Sequence, residues 1–178
     1  MKDANTPLQQ QQRNRLKDVT AFYQVVRQSP LNPVWRLAAA REGMTGINFF
    51  VKQNIAAFSG DGRVTDYEKL HFSWGCLPQG DCFRTVYRAG EEAVDVYWEN
   101  ATLLNERRYS DRLRVVMLFG NDEFIVFTGL EGNGCRREDG CGRFSLPVGC
   151  PLPRKVYCFF AAADERAYSP DVCCHLDC

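Results

Sequence analysis

The stretch Arg112-Leu113-Arg114-Val115-Val116-Met117-Leu118-Phe119 alternates at a period of two. Leu113, Val115, Met117 and Phe119 face one way; Arg112, Arg114, Val116 and Leu118 face the other. That period belongs to a β-strand and not to the 3.6-residue turn of a helix. Gly120-Asn121-Asp122 follows as a turn. The same pattern recurs on both sides. Leu70, Phe72 and Trp74 alternate with His71 and Ser73, and Val94, Val96 and Trp98 alternate with Asp95, Tyr97 and Glu99. Cys82 to Arg88, Phe124 to Thr128, Arg143 to Leu146 and Lys155 to Ala161 supply further short strands. Turn-formers separate them at Pro78-Gln79-Gly80, Ala89-Gly90, Gly129 to Gly134 and Pro147 to Pro153.

About seven short strands without helical patterns between them predict a two-sheet antiparallel sandwich; a barrel is the competing closure. No crossover helix is present to support parallel strands. Trp98, on the third strand of this reading, falls where an immunoglobulin-type sandwich places its core tryptophan.

Upstream the period changes to that of helices. Leu16, Val19, Phe22, Tyr23 and Val26 form one stripe, predicting a helix over 16–28 that Ser29-Pro30 ends. Asn32 is a candidate cap and Pro33 a first-turn residue for a second helix running to Glu42, with Gly43 suited to the left-handed position after it. A third helix is predicted over Thr45 to Phe58, with Ile47, Phe50, Val51, Ile55 and Phe58 on one face. The fold class expected is mainly β with an α N-terminal segment. In detail it is an antiparallel immunoglobulin-like β-sandwich of about seven strands preceded by two or three helices. The organisation expected is a disordered tail over 1–15, a helical arm over 16–60, the sandwich over 66–172 and a Cys-rich tail over 173–178.

Composition narrows the function classes. Lys plus Arg and Asp plus Glu number 22 each, so no net charge draws the chain to nucleic acid or an anionic membrane, and neither is expected as a partner. Arg107-Arg108 and Arg136-Arg137 lie beside acidic residues and read as solvated mixed surface. No apolar run reaches the roughly 18 residues of a membrane span. The polar, Gln-rich opening lacks the apolar core of a secretory signal, so synthesis in the cytoplasm without a signal peptide is expected.

The nine cysteines fit that compartment poorly. Cys76 and Cys82 bracket one turn-like stretch, and Cys135 and Cys141 bracket another. Each pair could close a disulfide across the base of its turn; ordinary buried thiols are the equal alternative.

Few constellations could carry chemistry. Ser59 to Glu68 resembles a calcium loop in placing Asp61, Gly62 and Glu68 at the fifth, sixth and twelfth positions, but Ala57 stands where the first acidic ligand belongs. A plain Gly-Asp-Gly turn is the reading adopted. Cys173, Cys174, His175 and Cys178 are possible soft-metal ligands, yet adjacent cysteines rarely reach one ion and the spacing is not that of paired zinc ligands. The two histidines, His71 and His175, lack the partners of a Cys-His catalytic pair. Catalytic, cofactor-binding and metal residues are therefore expected to be none, and cofactors none.

Several motifs recur together. Asn32-Pro33-Val34-Trp35 to Gly43, Asn48-Phe49-Phe50 to Asn54, Asp66-Tyr67, Leu70 to Ser73 with Gly75 and Leu77-Pro78 stand in this order. Trp98-Glu99-Asn100, Asp111 before Leu113 to Met117, Phe144 to Pro147, and Phe159-Phe160 to Tyr168-Ser169 follow. Over residues 32–170 this resembles a Bacteroidota family of uncharacterised proteins of similar size. The resemblance implies a helical N-terminal part joined to an immunoglobulin-like sandwich and supplies no catalytic residue. The expectation is a non-enzymatic structural or binding protein whose partners are other protein subunits, in self- or hetero-assembly, such as a phage virion or extracellular particle. A cytoplasmic adaptor or ligand-binding module is the alternative, and a metal-binding protein using the C-terminal Cys/His cluster a further one.

Overall fold

Thr6 starts the first helix. Its hydroxyl accepts from the Gln9 backbone N–H and the Gln9 side chain accepts from the Thr6 N–H, a reciprocal capping box with Pro7 in the first turn. The computed structural model describes residues 6–100, 104–129 and 135–177. Two compact units divide the chain between His71 and Phe72.

In the first unit, α1 (Pro7–Gln28) packs with α2 (Asn32–Arg41) and α3 (Gly46–Asn54). Helix α1 begins well before Leu16, so residues 7–15 are helical and not a disordered tail. Leu16, placed on the apolar stripe by its spacing, is 49% exposed; burial begins at Val19 and continues through Tyr23 and Val26. Asn32 does not cap α2. It is the first helical residue, and Leu31 precedes it without a side-chain cap. The end of α2 follows expectation: Gly43 has φ +64°, its N–H donates to Ala40 O, and the Met44 N–H donates to Ala39 O at 2.9 Å. Helix α3 stops at Asn54 and tightens into a 3₁₀ turn, Ile55–Ala57. Trp35 and Phe50 meet edge-to-face at 4.6 Å, with Tyr23 5.1 Å from Phe50. Fully buried side chains of this size stabilise by about 1.5–3 kcal/mol each.

The second unit contains two four-stranded sheets. The strands are β1 (Asp81–Arg88), β2 (Ala93–Glu99), β3 (Arg112–Leu118), β4 (Phe124–Phe127), β5 (Cys141–Ser145), β6 (Lys155–Ala161), β7 (Val172–Cys174) and β8 (Leu176–Asp177). The first sheet runs β5-β2-β1-β8 and the second β4-β3-β6-β7. Val94, Val96 and Trp98 of β2 and Phe144 of β5 share one core with Leu113, Val115 and Met117 of β3 and with Val156, Cys158 and Phe160 of β6. Trp98 lies on the second strand, not the third, and its indole N–H donates to Arg137 O at 3.0 Å.

Three expectations are corrected here. Residues 70–74 form no strand, because their polar groups are taken elsewhere. His71 N–H donates to Asn54 Oδ1, Phe72 N–H to Asp171 Oδ2, and Ser73 Oγ to Ser169 O. Residues 173–177 are no tail, since β7 pairs with β6 and β8 with β1. The β1–β8 pair is also parallel, which was not expected; a two-residue strand arriving from the other sheet needs no crossover helix.

Arg137 is fully buried rather than solvated. It sits in a 3₁₀ turn, Arg137–Asp139, and donates to the carbonyls of Pro78 (2.5 Å) and Gln79 (3.3 Å). The Asp111 carboxylate lies 3.7 Å from its Nε. Burial lowers the Arg137 pKa and raises that of Asp111, so this pair is incompletely compensated.

Candidate functional site

On the outer face of the first sheet, the alternation that sends Val94, Val96 and Trp98 into the core sends Asp95 and Tyr97 outward. Register then brings charge to them from both neighbours. Asp95 pairs with Val86 on β1 and with Arg143 on β5. Arg143 grips the Asp95 carboxylate with two bonds, Nε to Oδ1 at 2.6 Å and Nη2 to Oδ2 at 3.0 Å, and also bonds Glu91. Arg88 Nε donates to Asp95 Oδ2 at 2.8 Å, and the Tyr97 hydroxyl lies 3.4 Å from the same oxygen. The Arg84 guanidinium stacks over the Tyr97 ring at 5.0 Å.

Hydrogen bonds from Arg143 and Arg88 hold the Asp95 carboxyl down to about 2 although the residue is 5% exposed. It is therefore an anion at neutral pH. Beside the lattice opens a cavity of about 660 Å³, lined by Asp95, Tyr97, Arg136, Glu138, Asp139 and Arg143 among others. Its donors and acceptors are largely consumed by one another. The arrangement is suited to presenting a rigid charged and aromatic surface.

The positions singled out by sequence are divided between the two units. In the first unit, Asp61 occupies a turn held by its own chain: Ser59 Oγ donates to Asp61 Oδ1 at 2.5 Å, Gly60 and Gly62 have φ +97° and +87°, and Gly62 N–H donates to Asp18 Oδ2 at 2.8 Å. The Ser59 bond lowers the Asp61 pKa. Glu68 stands in a separate 3₁₀ turn, Tyr67–Lys69.

In the second unit, Cys174 is 6% exposed and turned into the core, where it meets Cys158; burial raises the Cys158 thiol well above its usual range. Cys173 alternates to the opposite face, across from Tyr157. His175 Nε2 lies 3.2 Å from Lys155 Nζ, and Cys178 falls outside the described residues. Among the described residues no three His, Cys, Asp or Glu side chains converge as a metal-binding group, and no helix is long and apolar enough to cross a membrane.

Of the two readings left open for the bracketing cysteines, the disulfide is not formed among the described residues. Cys76 and Cys82 are exposed free thiols, and so is Cys141. Cys135 belongs to the buried core while Cys141 is exposed at the start of β5.

The Asp95 lattice was missed from sequence, although the outward alternation of Asp95 and Tyr97 was visible. What could not be read was that Arg88 and Arg143 sit on the two strands that flank β2. No family model matches this chain, and no curated protein matches it significantly.

Proposed function

We propose that the protein is a non-enzymatic binding or structural subunit that works through contacts with other protein subunits. The observation that carries this reading is the outer face of the first sheet, where Arg84, Arg88, Tyr97 and Arg143 are held in place around Asp95 beside an open cavity. Arginine and tyrosine dominate the energetics of protein interfaces, and side chains already fixed lose little freedom on binding.

The second unit is, on this reading, an immunoglobulin-like sandwich. Its strand order supports that: the second strand pairs with the fifth, the third with the sixth, and the sixth with the seventh. The motif-level resemblance to the Bacteroidota family over residues 32–170 points the same way. Fold alone assigns no role, so the binding face carries the functional statement.

The test is recovery of partners from native extract by the tagged full chain after mild cross-linking. Tyr97→Ala and Arg84→Ala should each cut the yield of one and the same partner about tenfold, with thermal stability unchanged. Equal recovery by both variants would remove this face from the function.

A further inference from the structure

Tyr23 is 5% exposed, and among the described residues its hydroxyl neither donates nor accepts a hydrogen bond. A buried phenol ordinarily finds a partner, because an unmade bond leaves its desolvation uncompensated. The ring packs on Phe50 of α3 at 5.1 Å, and the hydroxyl reaches Gly46, one turn earlier and the first residue of that helix. A Cβ built on Gly46 would lie 2.5 Å from the Tyr23 oxygen. Gly46 is helical, without the left-handed φ of Gly43, so what its missing side chain supplies is room for that oxygen.

The same helix start has unused donors. Thr45 caps α3: its hydroxyl accepts from the Asn48 N–H at 3.4 Å, and its carbonyl from the Phe49 N–H at 3.0 Å. The N–H groups of Gly46 and Ile47 are left with no acceptor within the helix, and both residues are only partly buried. Together with the positive end of the α3 dipole they favour an anion. The Tyr23 hydroxyl adds a donor from a second element.

Two cations stand at the same place. Arg27 is four residues beyond Tyr23 on α1, so the two share one helix face. Arg36 follows Trp35, whose carbonyl carbon lies 4.0 Å from the Gly46 Cβ position. Burial raises the Tyr23 pKa, and Arg27 and Arg36 pull it back down; among the described residues no carboxylate acts on that hydroxyl. Both arginines are exposed, and neither is held in an ion pair among the described residues. Backbone donors, a hydroxyl and two guanidinium forks suit a tetrahedral oxyanion, which has oxygens enough for all of them.

We propose that the start of α3, the Tyr23 hydroxyl, Arg27 and Arg36 form a binding site for a phosphate group, free or carried as the monoester of a small molecule. The Gly46 and Ile47 N–H groups and the Tyr23 hydroxyl donate to its oxygens, and the two arginines neutralise its charge. The site belongs to the first unit, and its test is independent of the sheet face described above.

The experiment is a nuclear magnetic resonance titration of the isotope-labelled full chain with inorganic phosphate and with methyl phosphate, against sodium chloride at matched ionic strength. The expected result is saturable movement of the Gly46 and Ile47 amide signals with phosphate and none with chloride. Whichever phosphate binds more tightly shows whether the group is taken free or esterified. Tyr23→Phe keeps the ring on Phe50 and removes only the donor, so it should weaken binding about tenfold. Arg27→Gln and Arg36→Gln, both on the surface, should each weaken it several-fold. Binding should also weaken as pH falls through about 6, where a phosphate monoester takes up its second proton. Equal movement with chloride, or no saturation up to about 50 mM phosphate, would overturn the site. Phosphate binding that stays within about twofold of the parent in Tyr23→Phe and in both arginine variants would place the ligand elsewhere and overturn this assignment.

Discussion

The guanidinium carbon of Arg137 lies 3.7 Å from the centre of the Phe160 ring, and the whole side chain is excluded from solvent. A planar cation over an aromatic face is attracted to the ring's negative potential, and the attraction strengthens when both are desolvated. The same side chain ties the Pro78–Gln79 loop to the core through two carbonyls, while its backbone carbonyl accepts from Trp98 and from the Asn100 side chain. Arg137 thus joins β2, β6 and two loops at one point.

Removing it should be severe. Arg137→Met strips the fully buried cation from the Asp111 carboxylate, leaving it Arg108 alone at 3.3 Å, and removes the donor to the Pro78 and Gln79 carbonyls. A loss of about 3–5 kcal/mol is expected, read as a shift in urea midpoint at unchanged slope. Adding Asp111→Asn should return part of it, because the orphaned charge is then gone. A single-variant loss below about 1 kcal/mol would mean that the pair contributes little.

Arg137 also marks where sequence reading stops. Arg136-Arg137-Glu138-Asp139 looks like solvated surface, and only the arrival of Phe160 and Pro78, both distant in sequence, buries its second residue. The apolar ladders of β3 and β6 were legible because a period of two needs no knowledge of neighbours. So was the end of α2, since Gly43 supplies its left-handed φ locally. The false strand at 70–74 shows the converse: Leu70, Phe72 and Trp74 alternate, but Asn54 and Asp171 take the backbone donors a ladder would need. The start of α1 was signposted by Thr6, Pro7 and Gln9 and missed because the glutamine run carries no apolar stripe. The Asp95 lattice depends on register, which the spacing of β1, β2 and β5 does not specify.

Asp95 gives a pH signature of definite sign. Its folded pKa of about 2 lies below the usual 3.8, so it stabilises the fold at pH values above the usual range. That contribution is lost as pH falls from about 4 through about 2. Because the arginines around it are half exposed, about 1–2 kcal/mol is expected after screening. Asp95→Asn should be less stable than the parent by that amount at neutral pH, and the two should converge near pH 2. Parallel curves across the acid range would sink this account. Asp111 works in the opposite sense: its raised pKa favours the folded state as pH falls, so Asp111→Asn should steepen the acid loss.

Gly75 tests a close backbone approach. A Cβ built there would run into the Tyr168 carbonyl, whose oxygen accepts from Leu77 N–H at 3.0 Å. The obstacle is backbone and cannot rotate away. Gly75→Ala is expected to destabilise by more than about 2 kcal/mol, whereas Gly90→Ala, with open space around it, should fall within about 0.5 kcal/mol of the parent. Equal effects at the two sites would contradict the packing of Tyr168 on residues 75–77.

The thiols separate by exposure and by charge. Cys76, Cys82 and Cys141 are exposed and should be alkylated in the native protein without prior reduction, whereas Cys158, fully buried with its pKa pushed up, should react only on unfolding. Glu99 beside Cys82 raises that thiol's pKa, which lowers its thiolate fraction at neutral pH. Glu99→Gln should therefore speed alkylation of Cys82 about threefold and leave Cys76 unchanged. Peptide-resolved mass spectrometry of a timed alkylation distinguishes the sites. A Cys76–Cys82 pair blocked until reductant is added would restore the disulfide across that turn, and with it the case for an oxidised, extracellular assembly.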